Sequence, residues 1–127
     1  MITPFYAALL VLLFIVLAIR VIRLRRRFQV ALGDGKHSEL SRAIRVHANF
    51  VEYVPLALLL LFFIEQQGSA AWLVHGLGIT LLVARVSHAW GVSQLKEQLN
   101  FRVTGMLLTF AVLLLSASLL LWQFVGF

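Results

Sequence analysis

Four long apolar runs, separated by connections of only a few residues, leave this chain few ways to fold. The segments LLVLLFIVLAI and VPLALLLLFFI contain no charged residue, and the predominantly apolar spans run over about 4–26, 42–65, 70–92 and 102–125. A hydrocarbon core of ~30 Å takes about 20 helical residues per crossing, so each run is long enough to span a bilayer. A membrane barrel would instead alternate apolar and polar positions, and these runs are continuous. With 13% charged residues, 61% hydrophobic residues and a mean hydropathy of +0.96, the chain is no ordinary soluble domain. Four crossings use roughly 80 of its residues and leave nothing for a separate soluble unit. Residues 1–127 therefore read as one all-α, four-helix membrane domain. Its turns are marked by Gly33-Asp34-Gly35, by Gln66 to Ser69 and by Ser93 to Asn100. Connections this short predict an up-down-up-down bundle.

The first run is a retained helix rather than a cleaved leader: no basic residue precedes it and no small-x-small pattern closes it. Of eleven Lys and Arg, eight lie between Arg20 and Arg45, and the others are Arg85, Lys96 and Arg102. The positive-inside rule then puts the first and third connections in the cytoplasm, with both termini and the Glu65 turn on the other side. A net charge of +6 abutting membrane helices is a topology signal and a contact for anionic lipid, and it does not call for nucleic acid.

Polar residues within spans are costly, which makes them the candidates for function. Arg45, Asn49 and Glu52 stand at i, i+4 and i+7, one helical stripe rising about 10 Å. His47 and Tyr53 lie beside it, and Pro55 ends its polar part with a missing donor. Helix 3 adds Arg85 and, one turn later, His88; Arg102 opens helix 4; Arg23, Arg25 and Arg26 end helix 1. An Arg85–Glu52 pair would account for two of these as helix packing. Arg45, Arg85 and Arg102 still face Glu52 alone, and the surplus of cations calls for an anion from outside. Arginine forks suit carboxylates, so the implied ligand is a small, multiply charged acid. His75 reads as an interhelix hydrogen-bonding group, His37 as a solvated loop residue, and Trp72, Trp90 and Trp122 as interface anchors. His47 and Glu52, five apart, share no face suited to a metal.

The segment RAIRVHANFVEYVPLALLL resembles the helix 2 signature of the MAPEG family, the membrane-associated proteins of eicosanoid and glutathione metabolism. Arg45, Asn49, Glu52 and Pro55 carry the match, and RLRRRF, ARVSHAWG and FRVTG extend it over nearly the whole chain. The small bacterial inner-membrane branch is the nearest in character. The resemblance implies a homotrimer of four-helix protomers that binds glutathione between subunits at the cytoplasmic side. Positions matching Arg45, Asn49, Glu52 and Tyr53 hold the tripeptide in the family, with Glu suited to its ammonium and Arg to its carboxylates. His47, Arg85 and His88 match further pocket positions, and either Arg25 or Arg26 completes the set. Arg102 corresponds to the arginine that stabilises the thiolate.

The expected activity is therefore a glutathione-dependent transferase or peroxidase acting on a lipophilic electrophile or hydroperoxide from the bilayer, with Arg102 and Arg85 as the catalytic cations. The chain has no cysteine, so any thiol nucleophile comes from outside. Two alternatives stand beside this. His88, Val92 and Met106 occupy positions where the eicosanoid branch has tyrosines, which favours a non-catalytic MAPEG-like protein. Intramembrane Glu52 and Arg85 would also suit a small transporter, although polar groups fill only one half of the spans.

Overall fold

The computed structural model describes residues 1–96 and 98–126. Among the described residues the secondary structure is four α-helices: α1 (Thr3–Phe28), α2 (Ser38–Gln66), α3 (Ala71–Ser93) and α4 (Leu99–Val125). Each is long and apolar enough to cross a membrane. The protein is an integral membrane four-helix bundle. Helices α1, α2 and α4 contain their expected spans and α3 begins one residue inside its own, with Ala70 as the cap; α2 and α4 begin four and three residues before theirs, because the charged or polar residues there continue the helix beyond the apolar stretch. Glu97, in the third connection, and Phe127, expected on the outer side, lie outside the described residues.

Local chemistry sets the helix ends. Pro4 sits in the first turn of α1, where a missing N–H costs nothing. At the other end Gln29 adopts a left-handed conformation (φ 57°) and returns its N–H to the Arg25 carbonyl. The chain then turns through a compact loop. The Arg25 guanidinium donates to the Gly33 carbonyl at 2.7 Å, and Asp34 Oδ1 accepts the Lys36 N–H at 2.9 Å. His37, expected in solvent, is half-buried with its ring stacked on Phe28 at 4.0 Å, since the loop folds back on the last turn of α1. Helix α2 runs without interruption through Pro55.

Helices α2 and α3 form the centre, each touching both α1 and α4, while α1 and α4 make no contact among the described residues. Leu10 and Leu17 of α1, Phe50, Val54, Ala57 and Leu61 of α2, Leu81 of α3 and Val112 of α4 fill the interior. Large apolar side chains such as Leu12, Val16, Leu107 and Leu114 point outward, as befits a bundle solvated by lipid. Two glycines bring α3 and α4 together. A Cβ on Gly105 would lie 2.6 Å from the Ala84 carbonyl oxygen and from His88 Cβ, and one on Gly91 would lie 2.7 Å from the Arg102 nitrogen.

Polar clamps close both ends. The Glu65 carboxylate accepts the backbone N–H groups of Ile2 and Thr3, supplying the N-terminal cap that α1 lacks in its own sequence. At the arginine-rich end, Arg20 of α1 donates to the Ser93 carbonyl at 3.1 Å and Arg42 of α2 to the Val92 carbonyl at 3.2 Å. Two cations thus satisfy orphan carbonyls at the C-terminus of α3, where the helix dipole favours positive charge. Tyr6 and His75 hydrogen-bond at 2.8 Å between α1 and α3, the interhelix role expected of His75, and the Tyr6 ring lies against Gly78.

Candidate functional site

The interior of an apolar bundle gives a guanidinium few partners, so the surroundings of Arg85 determine what the site can do. The residue is 1% exposed. Its Nη2 donates to Asn49 Oδ1 of α2 at 2.5 Å and lies 3.5 Å from His88 Nδ1, one turn along α3. Because arginine only donates, that imidazole nitrogen is the acceptor. Nη1 reaches Thr109 Oγ1 of α4 at 3.3 Å, and Met106 Sδ lies 3.9 Å away. The Thr109 hydroxyl donates a hydrogen bond to the Gly105 carbonyl at 2.7 Å, which leaves its oxygen lone pair for Arg85. The Phe50 ring faces the guanidinium carbon at 6.0 Å. Three helices thus converge on one cation through neutral groups alone. No described carboxylate lies within ion-pair distance of Arg85, and its buried Nε has no hydrogen-bond partner. Burying a guanidinium without a direct ion pair costs several kcal/mol, by order of magnitude.

Glu52, the partner that Arg85 would have under a packing explanation, is engaged elsewhere. It pairs with Arg45 at 3.6 Å, two turns along α2, and both side chains are more than half exposed. They lie on a face of α2 that none of the other three helices covers, alongside exposed Val51, Pro55, Leu56 and Leu59. Asn49 stands between the two environments: its oxygen is turned inward to Arg85, and it shares a face with Arg45 and Glu52.

Above the stripe, at the arginine-rich end, lies a cleft of about 390 Å³ lined by Asp34, Lys36, His37, Ser38, Ser41, Arg42, Arg45, Val92 and Arg102. Four cations and one carboxylate line it, so its field favours an acidic ligand. It gathers Arg45 and Arg102, and it adds Arg42 and Lys36, which sequence reasoning had not put in the site. Arg42 was legible after all: it precedes Arg45 by three residues and Asn49 by seven, so it belongs to the same stripe. Thr109 and Met106 were harder to foresee, because only the close α3–α4 approach at Gly105 brings them to Arg85.

Other candidates stand apart from this cluster. His47 packs against Phe14 of α1, with ring centroids 5.0 Å apart, and lies about 200° around α2 from Asn49. Tyr53 meets Phe110 of α4 edge-on at 5.7 Å. Arg25 is tied to the α1–α2 loop, and Arg26 is exposed on the same turn. Among the described residues no group of three or more His, Cys, Asp or Glu side chains is arranged to hold a metal.

The geometry can be set against known proteins. The model of the MAPEG family matches residues 3–122. The chain belongs to the MAPEG family. Inner membrane protein YecN of Escherichia coli strain K12 is 42% identical over 122 residues, covering 96% of this chain and 92% of that protein. The protein of the same name from E. coli O6:H1 strain CFT073 matches with the same identity and coverage. With four apolar spans and such a relative, this MAPEG protein is an integral inner-membrane protein.

Proposed function

We propose that this MAPEG protein binds glutathione on the exposed face of α2 and uses it as a thiol co-substrate, in a transferase or peroxidase reaction with a lipophilic electrophile or hydroperoxide. The observation that carries this reading is the buried Arg85, held by an amide, an imidazole and a hydroxyl with no described carboxylate within ion-pair distance, next to a face of α2 that bears charge inside an apolar span. An anion binding there offsets the charge, and family membership makes glutathione the acid of choice. The donor set fits the tripeptide. Arg45, Arg42 and Arg102 suit its two carboxylates, Glu52 its ammonium, and Asn49 its polar middle, with His88 buried behind it against Arg85.

When bound, glutathione supplies the sulfur nucleophile that a chain without cysteine lacks. Arg102 at the cleft, with Arg85 below it, holds negative charge at that sulfur, since adjacent cations favour a thiolate over a thiol. The apolar surroundings exclude water, and a lipophilic partner reaches the site from the membrane without crossing an aqueous phase.

The same face supports a homotrimer. Arg45 and Glu52 would otherwise meet lipid, where a charge costs about 3 kcal/mol near mid-helix, and a neighbouring copy removes that contact. A neighbour also offers the site what one copy holds apart, including His47, Tyr53, and Arg25 or Arg26. The arginine distribution supports an orientation with the cleft in the cytoplasm, where glutathione would be supplied, and the termini on the other side.

A second reading, a MAPEG protein that retains the pocket without efficient chemistry, draws support from Met106. Its thioether lies beside Arg85, where a tyrosine would bring a hydroxyl. Glutathione titration into the purified protein, followed by turnover of a generic electrophile, tests both. Saturable binding with turnover supports the first reading, and binding without turnover supports the second.

A further inference from the structure

We propose that Arg85 is a positioning residue that acts through Asn49. By occupying Asn49 Oδ1, it fixes the side-chain amide so that its Nδ2 hydrogens are presented to the ligand as donors. This rests on the reading that glutathione occupies the exposed face of α2.

A side-chain amide in isolation can present either end, and its two orientations differ only in what surrounds them. Here the choice is made by chemistry. Arg85 has donors alone, so the atom at 2.5 Å from Nη2 is the amide oxygen. The guanidinium is itself held from two further directions, by Thr109 Oγ1 of α4 and by His88 Nδ1 of α3. Thr109 is turned by its bond to Gly105, in the one segment of α4 where a glycine admits α3 backbone at contact distance. Helices α3 and α4 therefore combine to set one amide on α2. Asn49 Nδ2 has no acceptor among the described residues, and its neighbours along the stripe are the cation Arg45 at i−4 and the carboxylate Glu52 at i+3. A ligand there meets donor, donor and acceptor in that order. This selects a molecule with an anionic or carbonyl acceptor ahead of an ammonium group. Arg85 itself, almost fully buried, reaches the ligand only through this amide and through its charge.

A double-mutant cycle on glutathione affinity tests the assignment, with Arg85→Met and Asn49→Ala made singly and together. If Arg85 works through the amide, Arg85→Met weakens binding about tenfold in the parent background and less than about twofold when Asn49 is already alanine. Equal losses in both backgrounds mean that Arg85 acts on the ligand directly, and they overturn the proposal. Asn49→Asp gives the guanidinium a carboxylate but removes the donors. It is expected to hold or raise the melting temperature while weakening glutathione binding at least tenfold; affinity kept at the parent level contradicts the proposal. Nitrogen-15 resonances of the Asn49 amide provide a readout independent of any ligand. A fixed pair in the parent that broadens or shifts in Arg85→Met supports the positioning role, and an unchanged pair refutes it. A parent protein that binds no glutathione, with an amide that still responds to Arg85→Met, removes the proposed ligand and leaves the hold on Asn49 standing.

Discussion

Glu52 is the middle residue of the 29-residue α2 and pairs only with Arg45 among the described residues, with half its side chain uncovered. Replacing it by leucine therefore has opposite consequences under two descriptions of that face. If lipid covers it, Glu52→Leu removes a mid-span carboxylate and should stabilise the protein, by less than about 3 kcal/mol because Arg45 loses its partner, leaving ligand binding untouched. If a neighbouring copy and glutathione cover it, the substitution deletes a charge-assisted bond to the ligand ammonium. Such a bond is worth about 1.5 to 3 kcal/mol, or roughly tenfold to a hundredfold in Kd. It also leaves Arg45 without its partner in the span. The assay is calorimetric titration of glutathione into parent and variant in lipid nanodiscs, with thermal unfolding and oligomer mass on the same samples. Glu52→Gln, which keeps the shape and removes the charge, controls for packing. A Glu52→Leu protein that is more stable than the parent, with unchanged glutathione affinity, would refute the reasoning.

Further expectations follow from other parts of the structure. Arg102→Leu should raise the pH at which bound glutathione shows thiolate absorbance, because removing a cation disfavours the charged form, with affinity changed much less; an unchanged titration here and an upward shift in Arg85→Leu would reassign the role. Glu65→Ala should lower the melting temperature by a loss of about 2 kcal/mol, since two N-terminal amides of α1 lose their acceptor, while glutathione affinity stays at the parent value. His75→Ala, at the opposite end from the cleft, should likewise leave affinity unchanged. With no native cysteine, single cysteines at Ala31, Lys96 and Gln67 report topology cleanly: an impermeant reagent added outside intact cells should label only Gln67→Cys, and labelling at Ala31→Cys would invert the orientation.

What the sequence discloses depends on the distance over which each residue acts. The spans were legible because each is a continuous apolar run, and the stripe Arg45, Asn49, Glu52 because helical periodicity alone places it on one face. The pairing within that stripe was not. Arg85 and Glu52 look like natural partners by charge, yet α3 packs so that Asn49 meets the guanidinium and Glu52 turns to Arg45. That outcome depends on the close approach of α3 and α4 at Gly105, which one sequence does not reveal. The clustered arginines were read as a topology signal, and Arg20 and Arg42 also cap α3, a task that depends on where its last carbonyls lie. Glu65 was seen as a marker of the turn, while its function as a cap for α1 needed the two helix ends side by side.

The central claim is that the cationic site at Arg85, Arg45 and Arg102 is completed by glutathione. Its most direct measurement is titration of glutathione into the purified, lipid-embedded protein, with heat and ultraviolet thiolate absorbance followed together at neutral pH. The account predicts saturable, salt-sensitive binding, and a thiolate band that grows in step with occupancy and is lost in Arg102→Leu. Correctly assembled protein that shows neither heat nor thiolate at millimolar glutathione would contradict it.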